Sequence, residues 1–326
     1  MNDIVLVVDK PLPQNTIISR TRNDLEGNSE EQTNRLIHSL ETISTVYCYY
    51  GPGDFEKNIS KHRDDIVLPM YYGAADPKSK GIVPAICDNN NIHYVGGDTY
   101  TQVLCNDKSL SKLYAYNFGI ESARGVLIRN KNNCENDLRT LKTLPIPLIV
   151  KPNFGGGSTG ISDIGIFYTQ EDALKLAHEM LDNLHIPILI EEYIPGYEVE
   201  LIICGNKNGI KICKEVGLKM DNTILFDHEI WGYESKDIDD SKIDFYSSNL
   251  ISTEDIQKLK SIFLSFGKIE IARFDGRINN GRFHLIELSP DCYLGDDCAV
   301  YYAFQLIGFS HTEMLKYLID NSLNQG

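Results

Sequence analysis

Leu148 to Ile161 reads LIVKPNFGGGSTGI, an apolar strand that delivers Lys151 and then opens into three consecutive glycines, Gly155 to Gly157. Ser158, Thr159 and Gly160 follow, and a second strand-like run spans Asp163 to Phe167. Glycine lets successive backbone N–H groups point into one concavity, because it reaches φ > 0 without steric cost. Such a nest, with hydroxyls and a lysine beside it, suits a phosphate chain. The Walker loop has the opposite order, with its lysine after the glycines and opening a helix. Here the lysine comes first and the loop joins two strands, which predicts a flap over a nucleotide. The plain alternative is an ordinary Gly/Ser hairpin turn, and the rest of the chain decides between them.

The 326 residues suffice for two or three compact units with a sizeable core. A net charge of −15 argues against a nonspecific nucleic-acid binder and against attachment to an anionic membrane. No apolar run approaches the roughly 20 residues that span a bilayer. MNDIVLVVDK reads as a first strand and not as a signal peptide. Eight cysteines are scattered without a CxxC pair, so they read as buried thiols in a reducing cytoplasm rather than as a zinc site.

Strand and helix patterns alternate over the first third. Ile4 to Val8, Val46 to Tyr50, Ile66 to Met70 and Ile92 to Val95 read as strands, and Glu30 to Ile43 carries apolar residues at helical spacing. This alternation predicts an α/β unit with a covered parallel sheet. Three units are expected, at 1–97, 98–184 and 185–326. The middle one holds a helix near Ser109 to Asn117, the Lys151 strand, the glycine loop and a helix from Gln170 to Asn183. The last holds paired strands ending in Ile271 to Arg277 and Arg282 to Leu288, joined by a hairpin turn at Ile278 to Gly281. Asp221 to Ser248 is polar, acidic and without periodicity, long enough for a lid.

Six features then occur in a telling order: Asn106-Asp107-Lys108 with Ser111-Lys112; Lys151-Pro152 with its loop; Glu191-Glu192-Tyr193-Ile194 with Glu198; Tyr233-Glu234-Ser235-Lys236; Ala272-Arg273-Phe274-Asp275; and Glu287-Leu288-Ser289. From about residue 82 to 320 the chain resembles the ATP-grasp superfamily, within it the D-alanine–D-alanine ligase-like branch. The resemblance implies an ATP-grasp fold behind an N-terminal Rossmann-like parallel-sheet domain. It implies ATP and Mg²⁺ (or Mn²⁺) as cofactors. Lys108, Lys151, Gly156, Gly157, Ser158 and Lys236 would meet the nucleotide. Glu191, Glu192, Tyr193 and Ile194 would read the adenine edge, and Glu198 would accept from ribose hydroxyls. Asp275 and Glu287 would hold the metal, with Ser289 as a poorer third ligand where the family places Asn. Arg273 would stabilise developing negative charge.

The expected function is an ATP-dependent ligase joining a small-molecule carboxylate to an amine through an acylphosphate. It would work in the cytoplasm, with a homodimer allowed and no nucleic-acid or membrane partner. The substrate loop departs from the branch. It presents Asp291, Asp296 and Asp297 where a D-alanine-type enzyme has small hydroxyl residues, and the glutamate–serine segment of the branch has no counterpart near the N-terminus. Two aspartates repel a free carboxylate, so an acceptor other than D-alanine is expected. The alternatives are a D-alanine–D-alanine ligase of cell-wall synthesis and a catalytically silent nucleotide-binding subunit.

Overall fold

The computed structural model describes residues 2–11, 27–73, 76–156, 165–220, 223–227 and 243–324. Of the residues singled out above, Gly157, Ser158 and Lys236 lie outside this set, as does most of the polar stretch.

β1 (Ile4–Val8), β2 (Val46–Tyr50), β3 (Ile66–Met70) and β4 (His93–Tyr94) form a parallel sheet in the order β2-β1-β3-β4. β1 is central and buried throughout, so it reads as a continuous apolar run. Its side chains alternate between two cores. Ile4, Leu6 and Val8 pack with Leu36 and Leu40 of the helix Glu30–Glu41. Val5 and Val7 pack on the other face with Phe55, Val83 and Cys87. Ser29 and Gln32 start the helix Glu30–Glu41 with a capping box.

After the two-residue β5 (Glu121–Ser122), a second sheet runs β6-β9-β7-β8, from β6 (Gly125–Ile128), β7 (Leu148–Pro152), β8 (Ile166–Phe167) and β9 (Ile188–Glu192). All its pairs are antiparallel. Helix Gln170–Leu184 lays Ala173, Leu174, Ala177 and Met180 on its apolar face. β7 and β8 pair directly, so the glycine loop joins neighbouring strands as its sequence predicts.

The third sheet is the largest, in the order β13-β11-β10-β14-β15-β5, with β12 on β10. It uses β10 (Gly196–Asn206), β11 (Gly209–Met220), β12 (Leu225–Phe226), β13 (Ile243–Ser247), β14 (Ile271–Asn279) and β15 (Arg282–Ser289). One face of β10 and β14 packs Val199, Leu201, Ile203, Ala272 and Phe274 on Leu259, Ile262 and Phe263 of the helix Thr253–Ser265. At the far end of the other face, Ile202, Cys204 and Ile271 share a core with the first sheet and with the helices Ala299–Gln305 and His311–Leu323. The thiols are all free; Cys134 is exposed, and Cys48 and Cys213 are only partly covered, so burial holds for five of the eight.

β14 and β15 meet through Asn280 and Gly281, both at positive φ, as a two-residue hairpin turn requires. From the turn the pairing is regular to Gly276 and Leu285; then Ile286 is inserted as a bulge and Asp275 faces Glu287. Gly276 sits at this step, where a Cβ would come within 2.4 Å of the Phe283 ring and 2.8 Å of the His284 carbonyl. Gly276→Ala should therefore cost about 1–3 kcal/mol by overpacking. A denaturant melt with an unchanged midpoint would show that the strands have more room at the bulge than this.

Candidate active site

The bulge decides which side chains share a face. Residues of a strand alternate between faces. Unbulged pairing from the Asn280-Gly281 turn would set Asp275 against Ile286 and send Glu287 to the side of Phe274, into the core. With Ile286 extra, Asp275 opposes Glu287 and Arg273 opposes Ser289, while β10 places Glu200 beside Asp275 and Glu198 beside Arg277. Arg273, Asp275, Arg277, Glu198, Glu200, Glu287 and Ser289 thus line one face.

Charge on that face is paired closely. Arg273 donates from Nε and Nη2 to the two Asp275 oxygens, each at 2.7 Å, and its Nε lies 3.5 Å from Glu200. Lys108 Nζ stands 3.4 Å from Glu287 and donates to the Gly155 carbonyl. Burial pushes the Asp275 carboxyl up; Arg273 pulls it back, Glu287 and Glu198 push further, and it ends above its ordinary value. Burial acts on Glu287 likewise, but Lys108, Lys80 and Arg273 outweigh it and hold that carboxyl low.

Lys151 arrives on β7 fully buried and pairs with Glu191 on β9, which also takes Lys112 from the helix Lys108–Tyr116. Asn153, wholly buried, binds this strand end to that helix. Its carbonyl accepts from Lys108 N at 3.0 Å, its Oδ1 accepts from Ser109 N at 3.0 Å, and its Nδ2 donates to Asp107 at 2.8 Å. Asn106 Oδ1 accepts from Gly155 N at 3.0 Å, so the start of the glycine loop is held from the end of the preceding helix, Thr99–Asn106. Gly156 follows, part-covered, as the last described residue of the loop.

The connection from β9 to β10 carries the expected adenine segment. Glu192 pairs with Arg124. Tyr193 donates from its backbone to Pro147 and from its hydroxyl to Phe226 O at 3.2 Å. Ile194 O and the Glu198 carboxylate both accept from Arg277. Gly196 is needed here, since a Cβ would meet the Ile278 carbonyl at 2.2 Å.

In the substrate loop, Asp291 is paired with Lys80 at 2.7 Å, both nearly buried. Asp296 and Asp297 are half-exposed and stand 3.5 and 2.6 Å from Arg35 of the first sheet's helix. Neither caps the helix Ala299–Gln305; Cys298 does.

Reading the sequence gave no site role to Lys80, Lys112, Asn153, Arg35 and Arg277, although Lys112 stands in the first of the six features and Asn153 in the glycine-loop stretch. Lys112 had a signal, its place one helical turn after Lys108; Asn153 and Arg277 stand two residues beyond Lys151 and Asp275, but their partners, like those of Lys80 and Arg35, lie on distant chain segments.

Two opposed carboxylates with water and phosphate completing the shell suit Mg²⁺. Among the described residues there is no group of three or more His, Cys, Asp and Glu that could hold a metal, so a softer, all-protein cage is not what this face offers.

Residues 115–320 match the family described as D-ala D-ala ligase C-terminus. The chain belongs to this family. A D-alanine–D-alanine ligase of Flavobacterium psychrophilum is 28% identical over 241 residues, covering 73% of this chain and 69% of that one. The solved D-alanine–D-alanine ligase of Bacillus anthracis complexed with ATP superposes with a TM-score of 0.74 at 16% identity, over 99% of this chain and 98% of that one. The VanG D-Ala:D-Ser ligase of Enterococcus faecalis superposes at 0.69 with 18% identity, over 98% and 99%. The fold is therefore the ATP-grasp fold from end to end, parallel-sheet unit included. As a member of this family the protein is an ATP-dependent, ADP-forming carboxylate–amine ligase, with ATP and a divalent metal as cofactors. No helix among the described residues is long and apolar enough to cross a membrane.

One carboxylate between two lysines leaves a buried excess of positive charge. Burial pushes the Lys112 ammonium down to about 7, with Lys151 adding to the push and Glu191 opposing it. In the unfolded chain Lys112 returns to 10.5, so between these values the unfolded state binds the extra proton. Stability from this group therefore rises with pH across that window. Urea melts at about pH 7 and about pH 9 should show a rise for the unmodified protein that Lys112→Met lacks. Parallel behaviour of the two would contradict the buried, unevenly charged triad.

Proposed function

We propose that the protein joins two small D-amino acids, with D-alanine as the carboxylate donor and D-alanine or a close analogue as the amine. The observation that carries this reading is the single sheet face on which Arg273, Asp275 and Glu287 converge beside Lys108. It supports chemistry over the silent-subunit alternative, because a merely structural face has no need of so many buried charges.

The choice of D-alanine rests on the relatives, several of which carry that name. The expectation of a different acceptor loses its main premise, since Arg35 already answers Asp296 and Asp297. A substrate carboxylate approaching that loop meets an acidic pair of which Arg35 offsets one charge and, deeper in, the Lys80–Asp291 pair.

In this reading Lys151 and Lys108, with the Gly156 backbone, receive the phosphates, and Glu198 receives the ribose. Gly157, Ser158 and Lys236 keep their expected roles on the flap and lid. Asp275 and Glu287 hold the metal from two adjacent strands, with Ser289 adding at most a weak or water-bridged contact. A bound Mg²⁺ would neutralise phosphate charge during transfer. Arg273 is fixed by Asp275 with its donors already oriented, so it stabilises charge on the reacting centre without reorganising. Asp291 would border the amine. Exclusion of water at this site would protect the activated carboxylate.

ADP release should appear with D-alanine, ATP and Mg²⁺ as the only additions, with a product of D-alanyl-D-alanine mass. Silence with D-alanine, beside turnover with an uncharged or cationic amine, would reject this reading and favour the other acceptor class. Lys151→Ala should weaken ATP binding by about 1.5–3 kcal/mol through loss of charge-assisted contacts. Calorimetry giving the same affinity for both proteins would remove Lys151 from the nucleotide site.

A further inference from the structure

Arg277 lies two residues beyond Asp275 on the same face of β14 and is nearly buried. Its guanidinium is over the Tyr193 ring at 4.8 Å and over the Phe226 ring at 5.4 Å. Nε and Nη2 both donate to one oxygen of Glu198, Oε2, at 3.2 and 3.0 Å. Nη1 donates to the Ile194 carbonyl at 2.9 Å. Asn279, two residues further on, donates to the Pro195 carbonyl at 2.8 Å. One strand therefore holds both the connection between the second and third sheets and the carboxylate at its end.

The division of contacts on Glu198 matters. A guanidinium usually meets a carboxylate fork to fork, with one N–H on each oxygen. Here Nε and Nη2 both donate to Oε2 and neither donates to Oε1. Two donors hold Oε2 in place, and Oε1 remains an acceptor in a largely enclosed place. A fixed acceptor beside two aromatic rings and a flat cation suits a planar base that carries a sugar with neighbouring hydroxyls.

We propose that Arg277 is a positioning residue that sets the preference for ribose over deoxyribose: it holds Glu198 through Oε2 so that Oε1 accepts from the sugar. This rests on the reading of Glu198 as the ribose contact. The rival explanation is a plain ion pair tying β10 to β14. A pair of that kind would govern stability and leave sugar choice alone.

The test compares kcat/KM for ATP with that for 2′-deoxyATP, with saturating D-alanine, in the unmodified protein, Arg277→Met and Arg277→Lys. The ratio does not depend on how much of a variant is folded. Arg277→Lys keeps the charge and so guards against simple collapse, but it lacks the fork. We expect the unmodified protein to prefer ATP, and both variants to lose about ten- to a hundredfold of that preference, the scale of a charge-assisted hydrogen bond. An unchanged ratio in a variant that turns over would overturn the proposal, as would equal use of ATP and 2′-deoxyATP by the unmodified protein. Absence of any ATP turnover with D-alanine in the unmodified protein is a different failure, and it rejects D-alanine as the substrate.

Discussion

A single inserted residue, Ile286, sets the relation between β14 and β15 on which the charged face depends. The Asn280-Gly281 turn fixes the register at one end of this hairpin. Continued regularly, that register would separate Asp275 and Glu287 onto opposite faces and drive a carboxylate among Phe274, Leu201 and Phe263. The bulge resets it within one step, and Gly276 leaves the room for it. Bulges recur where a strand must re-aim a side chain, and this one re-aims Glu287 and Ser289 together. The apolar residues on the reverse face, Phe274 and Leu288, then lock the arrangement by packing.

In the proposed reading that face and the segments around it receive a polyanion on an acidic protein. Its useful cations are withdrawn from solvent and each is paired: Lys151 and Lys112 with Glu191, Lys108 with Glu287, Arg273 with Asp275, Lys80 with Asp291. Pairing makes burial of these charges tolerable.

Much of the fold was legible because it is local. β1, β2 and β3 announce themselves as short apolar runs, and Asn-Gly between alternating segments marks the β14–β15 turn. Lys151 was legible because a lysine ending an apolar strand beside three glycines has few ordinary explanations. The carboxylates were assigned together to the metal, but what brings them to one face could not be read, since regular pairing would have parted them and a bulge has no periodic signature. What could not be read joins distant segments. Arg35 meets Asp297 across 262 positions, and Arg277 meets Glu198 across 79. Hence the aspartates looked like an unanswered acidic pair, and the inference of an unusual acceptor followed from the missing arginine.

The central claim is that Asp275 and Glu287 act as one metal-holding pair across β14 and β15. Water-proton relaxation with Mn²⁺ and ADP tests it directly, because the enhancement rises only when the metal is held on the protein. The account predicts enhancement in the unmodified protein, its loss in Glu287→Gln and in Asp275→Asn, and its retention in Glu121→Gln on β5. Enhancement of equal size in all four proteins would place the metal elsewhere and contradict the account.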